Sequence, residues 1–350
     1  MSGGIAQLVA VGAQDAHLVG QPEVSFFRST YKRHTNFSQT VERQVIQGNV
    51  NNGGMSSVRF ERKGDLLNYI YLAPHDSTGP DTENIPDWTL LISKVELLIG
   101  GQVVETQDST YSTLIAPTLS AATQSKSVAS ALYDGGATAK FYPLRFSFCE
   151  NWQSALPLVA LQYHDVELRI TWGTSAASHS WNVYANYAYL DSDEREAFST
   201  GSQNMLITQV QKSIGSKAKV QELNFNHPIK YLAAGKDSAM TILDKANKLK
   251  LQINGTDIAD YKFADPNFTS VPLYYHTTNS SVRGDKLLFV PFCLDAAKLQ
   301  PTGTLNFSRL DSARIQSTTQ LFNDDIYAVN YNVLRIERTG WPVCCIRTNF

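Results

Sequence analysis

The sequence predicts an all-β chain built as two tandem β-sandwiches, and three observations carry that prediction. Short apolar-alternating runs bounded by Gly, Pro and Asn recur along most of the 350 residues. Aromatic residues make up 11% of the chain and charged residues 18%, the latter below the roughly 25% of an average soluble domain, which favours buried strands over disorder or helical bundles. The chain also repeats itself at long period. Its length suits two domains of moderate size.

Taken in order, the strand-like runs of the first half are SSVRFER (56–62), KVELLIGGQVVET (94–106), FYPLRFSF (141–148), HDVELRITW (164–172) and NVYANYAYLD (182–191). Those of the second half are KLKLQINGTDIADY (248–261), DKLLFVPFCL (285–294), LNFSRLDSARIQ (305–316) and IYAVNYNVLRIER (326–338). Helix is expected only as short pieces in loops, near 110–131 and 191–199.

The repeat joins the two halves. KVELLIGGQVVE from Lys94 and KLKLQINGTDIA from Lys248 each place apolar residues on one strand face and then turn through a glycine pair or Asn-Gly. Asn254-Gly255 is a strong hairpin signal, since a type I′ turn needs positive φ at both central residues. FYPLRFSFC ending at Cys149 resembles LLFVPFC ending at Cys293, and HDVELRI ending at Ile170 resembles LDSARI ending at Ile315. The three matches are collinear, at offsets of about 145 to 155 residues. The boundary falls in the charged, loop-like DSDEREAFSTGSQN, 191–204.

His164-Asp165 is the one pair that invites a catalytic or metal-binding interpretation. In a strand, Val166, Leu168 and Ile170 share the apolar face with His164, while Asp165, Glu167 and Arg169 point the other way. Neighbours on opposite faces cannot orient one another as acid and base. Gly53-Gly54 and Gly100-Gly101 lie outside any phosphate-cradling pattern, and neither GxSxG nor HExxH occurs. Cys149, Cys293, Cys344 and Cys345 lack metal-ligand spacing and are expected to be buried thiols in a reducing compartment. DSDERE is expected to be a solvated turn or helix start. The sequence thus predicts no enzyme, no catalytic residue, no cofactor and no metal.

A net charge of −2 gives no basic field for nucleic acid. FFRSTYKRHTNF (26–37) does interleave cations with aromatics, and contact with a protein neighbour is its preferred functional role. Five Asn-x-Ser/Thr sequons occur, at Asn36, Asn254, Asn267, Asn279 and Asn306, of which loop-like Asn267 and Asn279 are the candidate glycan sites. The amino end shows no secretory signal, and no apolar run approaches the ~20 residues that span a bilayer. A soluble protein made in the cytosol is the expectation.

Five stretches carry a family resemblance: GGIAQLVAVGAQDAHLVGQPEVSFFRSTYKRHTNF (3–37), LPLVALQYHDVELRI (156–170), LNFNHPIKYLA (223–233), KLQPTGTLNFSRLDSARI (298–315) and YAVNYNVLRI (327–336). In this order the chain resembles the major capsid proteins of nucleocytoplasmic large DNA viruses, such as those infecting algae. The resemblance implies a double jelly roll, two eight-stranded sandwiches side by side, with three chains forming a pseudo-hexagonal capsomer that tiles an icosahedral shell. It implies an N-terminal arm (1–23), a first jelly roll (24–200), a second (201–340) and a C-terminal tail (341–350). Residues 3–37 would lie at the capsomer base, so Phe26, Phe27, Arg28, Tyr31, Lys32 and Arg33 are candidates for basal inter-subunit contacts.

Implied partners are the other two copies, neighbouring capsomers and minor capsid proteins. An internal virion membrane would be met only indirectly, and no direct nucleic-acid binding is expected. The implied location is the virion shell, assembled in the host cytoplasm. Two departures stand out: the second roll, from 205 to 340, leaves little room for long outer loops, and the tail ERTGWPVCCIRTNF either wraps a neighbour or forms a short cap. Competing assignments are a minor capsid or capsid-like paralogue and a carbohydrate-binding jelly roll using Trp88, Trp152 or Trp181.

Overall fold

The computed structural model describes residues 3–75, 87–120, 141–236, 238–278, 286–339 and 343–348. The chain divides into two compact units, Met1–Asn36 and Phe37–Phe350. The first carries the helices Gly3–Val9 and Ala16–Val19, with no buried side chain among its described residues.

The second unit opens with strands β1 Phe37–Gln44, β2 Ile46–Gln47, β3 Met55–Phe60, β4 Leu66–His75, β5 Ile92–Ile99, β6 Gln102–Asp108, β7 Tyr142–Pro143, β8 Leu156–Pro157, β9 Val166–Trp172 and β10 Ser180–Leu190. They form two antiparallel sheets, β1-β10-β4-β7 with β8 also on β4, and β2-β3-β9-β5-β6. After the helix Ser192–Thr200 come β11 Gln203–Ser213, β12 Val220–Glu222, β13 Pro228–Gly235, β14 Lys248–Ile253, β15 Thr256–Asp257, β16 Lys262–Phe263, β17 Leu287–Pro291, β18 Leu305–Asn306, β19 Ala313–Ser317, β20 Ile326–Thr339 and β21 Val343–Thr348. These give β11-β20-β13-β17, with β18 on β13 and β21 on β20, and β12-β19-β14-β15, with β16 on β14. In both halves the chain alternates between facing sheets in the same order. That is the jelly-roll winding, made twice.

Each sequence match of the repeat lands on an equivalent place. The hairpins β5–β6 and β14–β15 turn through two residues at positive φ, Gly100 (59°) with Gly101 (81°) and Asn254 (48°) with Gly255 (78°). β7 and β17 both pair with the long strand of their sheet, β4 and β13, and β9 and β19 both occupy the position beside β5 and β14. Even an irregularity repeats. β4 carries one extra residue between Leu67 and Ile70 opposite β10, and β13 one between Ile229 and Tyr231 opposite β20.

FYPLRFSF is the element that departs most from expectation. Only Tyr142–Pro143 is strand, and Ser147–Glu150 is helical. Pro143 has no N–H to give the ladder; Leu144 N still donates to the Ile70 carbonyl at 3.0 Å, and the segment then enters the core through Leu144, Phe146 and Phe148. Helical structure at 111–119 and Ser192–Thr200 falls where short helices were expected.

Alternation builds the cores. Along β9, Val166, Leu168, Ile170 and Trp172 are buried while Glu167, Arg169 and Thr171 are half-buried on the other face. The first core gathers these with residues such as Leu67, Ile70, Val95 and Tyr187. A second core lies between the other two sheets, around Leu232, Leu249, Leu288 and Ile315.

Candidate assembly surfaces

The His164-Asp165 pair resolves first. β9 begins at Val166, so both residues precede the strand instead of opening it. Asp165 Oδ2 pairs with Arg59 at 2.7 Å. The His164 ring lies directly against Gly100, where any Cβ would collide with it. No group of three or more His, Cys, Asp or Glu that could hold a metal exists among the described residues. Among them, too, no helix is long and apolar enough to cross a membrane. What the geometry offers is surface.

One surface is already used within the chain. The outer face of β13, β17 and β20 presents Tyr231, Ala233, Phe289, Tyr327 and Val329, and all are buried. The cover comes from the first roll: the helical segment 111–119 lays Tyr111, Ile115, Ala116 and Leu119 on that sheet. Gly235 allows the approach, because a Cβ there would run into the Leu114 side chain. This third apolar cluster is the seam that joins the two sandwiches.

Polar groups at the seam are paired across it. Tyr231 Oη and Ser120 Oγ are 2.6 Å apart, and Gln209 Nε2 donates to the Val104 carbonyl at 2.6 Å. Lys212 Nζ reaches Asp108 at 2.7 Å and Asp325 at 2.9 Å. Burial pulls the Lys212 pKa down, but the two carboxylates outweigh it and hold the ammonium above its ordinary value. Lys230, buried, donates to the Lys298 carbonyl at 2.9 Å, and desolvation lowers its pKa. Glu105 on β6 is buried and accepts a hydrogen bond from Gln107 Nε2, and desolvation pushes its carboxyl up to about 8.

The corresponding face of the first roll carries a groove among the described residues. Tyr71 stacks on Tyr184 with centroids 5.2 Å apart and meets Phe141 edge-on at 5.7 Å. Tyr71 and Phe141, together with Tyr69, Phe148 and Trp152, line a groove of about 790 Å3. Trp152 is 80% exposed. Among the described residues no helix lies over this face as 111–119 lies over its counterpart.

The second roll has its own short helix, Ser270–His276, at the chain position equivalent to 111–119. Leu273 and Pro272 are buried beneath it, whereas Tyr274 is 79% and Tyr275 73% exposed. Sequence reasoning singled out neither this helix nor the groove. The signal available was the doublet Tyr274-Tyr275, two large rings side by side in a stretch without strand alternation.

Of the residues selected from sequence, Phe26, Phe27 and Tyr31 are 95%, 100% and 88% exposed, and Arg28, Lys32 and Arg33 are exposed as well. Asn267 is exposed, with its amide donating to the Phe263 carbonyl, while Asn279 lies outside the described residues. Trp88 and Trp181 are buried in the first core, in ring contact with each other, so only Trp152 of the three tryptophans could meet a glycan. That removes Trp88 and Trp181 from the lectin-like alternative. Val343–Thr348 of the tail pairs antiparallel with Leu334–Thr339 of its own chain.

Comparisons with known proteins agree with this architecture. Residues 25–191 match the family model described as the N-terminus of major capsid proteins. The chain is 34% identical to a major capsid protein of Pyramimonas orientalis virus, over 96% of this chain and 97% of that one. It is 31% identical to that of Paramecium bursaria Chlorella virus 1, over 96% and 98%. Among solved structures, VP54 of PBCV-1 superposes with a TM-score of 0.77 at 24% identity, covering 92% of this chain and 99% of that one. The faustovirus major capsid protein gives 0.67 at 9% identity, covering 90% and 93%.

Proposed function

This chain belongs to the major capsid protein family of nucleocytoplasmic large DNA viruses, and from that premise we propose that three copies close into a pseudo-hexagonal capsomer that tiles an icosahedral shell. Its role is structural. The observation that carries the trimer is the duplication itself: three chains of two like sandwiches supply six modules, and a ring of heterologous contacts closes without a leftover edge. Each contact between copies should bury more than ~2,000 Å2, as permanent assemblies do.

Within this proposal the segments keep the division 1–23 arm, 24–200 first roll, 201–340 second roll and 341–350 tail. The exposed rings of Phe26, Phe27 and Tyr31, with Arg28, Lys32 and Arg33, serve contacts at the capsomer base. Neighbouring capsomers and minor capsid proteins are the further partners, an internal membrane is met only indirectly, and nucleic acid is not bound directly. Synthesis and assembly take place in the host cytoplasm, with the virion shell as destination. Asn267 is the exposed sequon at which an intact-mass measurement on virion protein would reveal a glycan.

Light scattering on purified protein tests the central point. The expected mass is about 116 kDa, three times 38.8 kDa, unchanged on dilution. A monomer at every concentration would remove the self-assembling trimer. Deleting residues 1–33, which removes all six of the side chains assigned to the capsomer base, should leave trimers intact and impair shells; normal shells from that variant would remove the basal role.

A further inference from the structure

We propose that the helix Ser270–His276 of one copy seats Tyr274 and Tyr275 in the aromatic groove on the first roll of the next copy. The contact repeats between chains the seam that joins the two rolls within a chain. The inference rests on the homotrimer proposed above and assigns one of its interfaces to named residues.

The argument starts from equivalent positions. In the paired long strands, Ile70 faces Ala185 and Leu232 faces Ala328, all four buried in the core of their own sandwich. From these anchors, Tyr69 corresponds to Tyr231, Tyr71 to Ala233 and Tyr184 to Tyr327. In the second roll these positions are covered by the helical segment 111–119 and are buried. In the first roll Tyr69 and Tyr71 line a groove of about 790 Å3 with Trp152 at its rim, and Tyr184 stacks on Tyr71. Among the described residues one copy of the sheet face is covered by a helical segment and the other is not.

The filler shows the complementary asymmetry. Residues 111–119 are buried throughout, because the sheet beneath them belongs to the same chain. The helix Ser270–His276 holds the same place, after the last strand of the β14–β16 side and before β17, yet leaves Val271, Tyr274 and Tyr275 exposed at 42%, 79% and 73%. Two adjacent tyrosines in T-shaped contact, 4.9 Å between centroids, form a wedge with apolar faces and polar tips. Tyr and Trp are the residue types that dominate well-packed interface centres. A second copy is the occupant because groove and wedge sit on different rolls, so each chain offers one of each. Joining wedge to groove is then heterologous and propagates around a ring, as a closed trimer requires.

The test compares wild type with Tyr274→Ala/Tyr275→Ala and with Trp152→Ala, read by light scattering over a dilution series. Each variant should raise the dissociation concentration of the trimer by about a hundredfold, with an unchanged far-ultraviolet spectrum. Trimers of both variants as stable as wild type would overturn the contact while leaving the trimer itself standing; a monomeric wild type would overturn both. Should a variant fail to fold, the pair Trp152→Cys and Tyr274→Cys in one chain gives an independent readout. Oxidation should then produce dimers and trimers linked between chains, above the level of either single variant. No such excess in a protein that is trimeric by light scattering would overturn the contact and leave the groove to another occupant.

Discussion

Glu105 sits where a carboxylate cannot be hydrated, and its chemistry there has a measurable sign. Its folded pKa is raised from 4.5 to about 8. Between these values the folded state holds a proton that the unfolded state releases, so stability falls as pH rises through that window and levels off above it. The limiting slope is about 1.4 kcal/mol per pH unit for this one group. Glu105→Gln keeps the acceptor for Gln107 and removes the ionisation. Denaturant midpoints of the variant should lose this component between pH 5 and 8, and the variant should be the more stable of the two at pH 8. Equal slopes for both proteins would mean that Glu105 reaches water.

At the scale of elements, the two hairpins carry the duplication most sharply. Gly101 and Gly255 are at φ 81° and 78°, and a Cβ at either would meet nothing within 4 Å. Space is therefore not the constraint; backbone conformation is. Gly101→Ala and Gly255→Ala should each cost about 1 kcal/mol, the ordinary penalty for a left-handed alanine. Gly100→Ala should cost more, because its Cβ would also collide with His164. Chemical denaturation of the three variants decides this, and a neutral Gly255→Ala would show that the turn relaxes to another type.

For the whole molecule the seam is the deciding feature. Tyr231, Phe289 and Tyr327 of the second roll and Tyr111, Ile115 and Leu119 of the first are all nearly inaccessible in one cluster. Separating the rolls would return those side chains to water, at roughly 1.5–3 kcal/mol apiece. The two sandwiches should therefore unfold in a single calorimetric transition. Phe289→Ala, whose cavity costs about 3–5 kcal/mol, should lower that transition as a whole. Two separated transitions in the wild type would show that the seam does not couple the rolls.

The sequence by itself determined the two-sandwich architecture, because strand alternation and turn chemistry are local. Val166, Leu168, Ile170 and Trp172 announce their common face by spacing alone, and Asn254-Gly255 announces its turn by the φ it tolerates. The resemblance of five stretches along the chain pointed to the family for the same reason: they are runs of neighbours. Local pattern failed where tertiary context overrode it, at FYPLRFSF, which turns into the core through Leu144, Phe146 and Phe148 after a two-residue strand, and at His164, which stands before its strand. Only the tertiary structure decided which outer sheet face is covered by the described residues and which carries a groove. Tyr71 and Tyr231 occupy comparable strands, yet one lines a groove and the other is sealed by 111–119. Burial of an outward-facing residue depends on what another part of the chain, or another chain, lays over it, and no spacing along the strand encodes that.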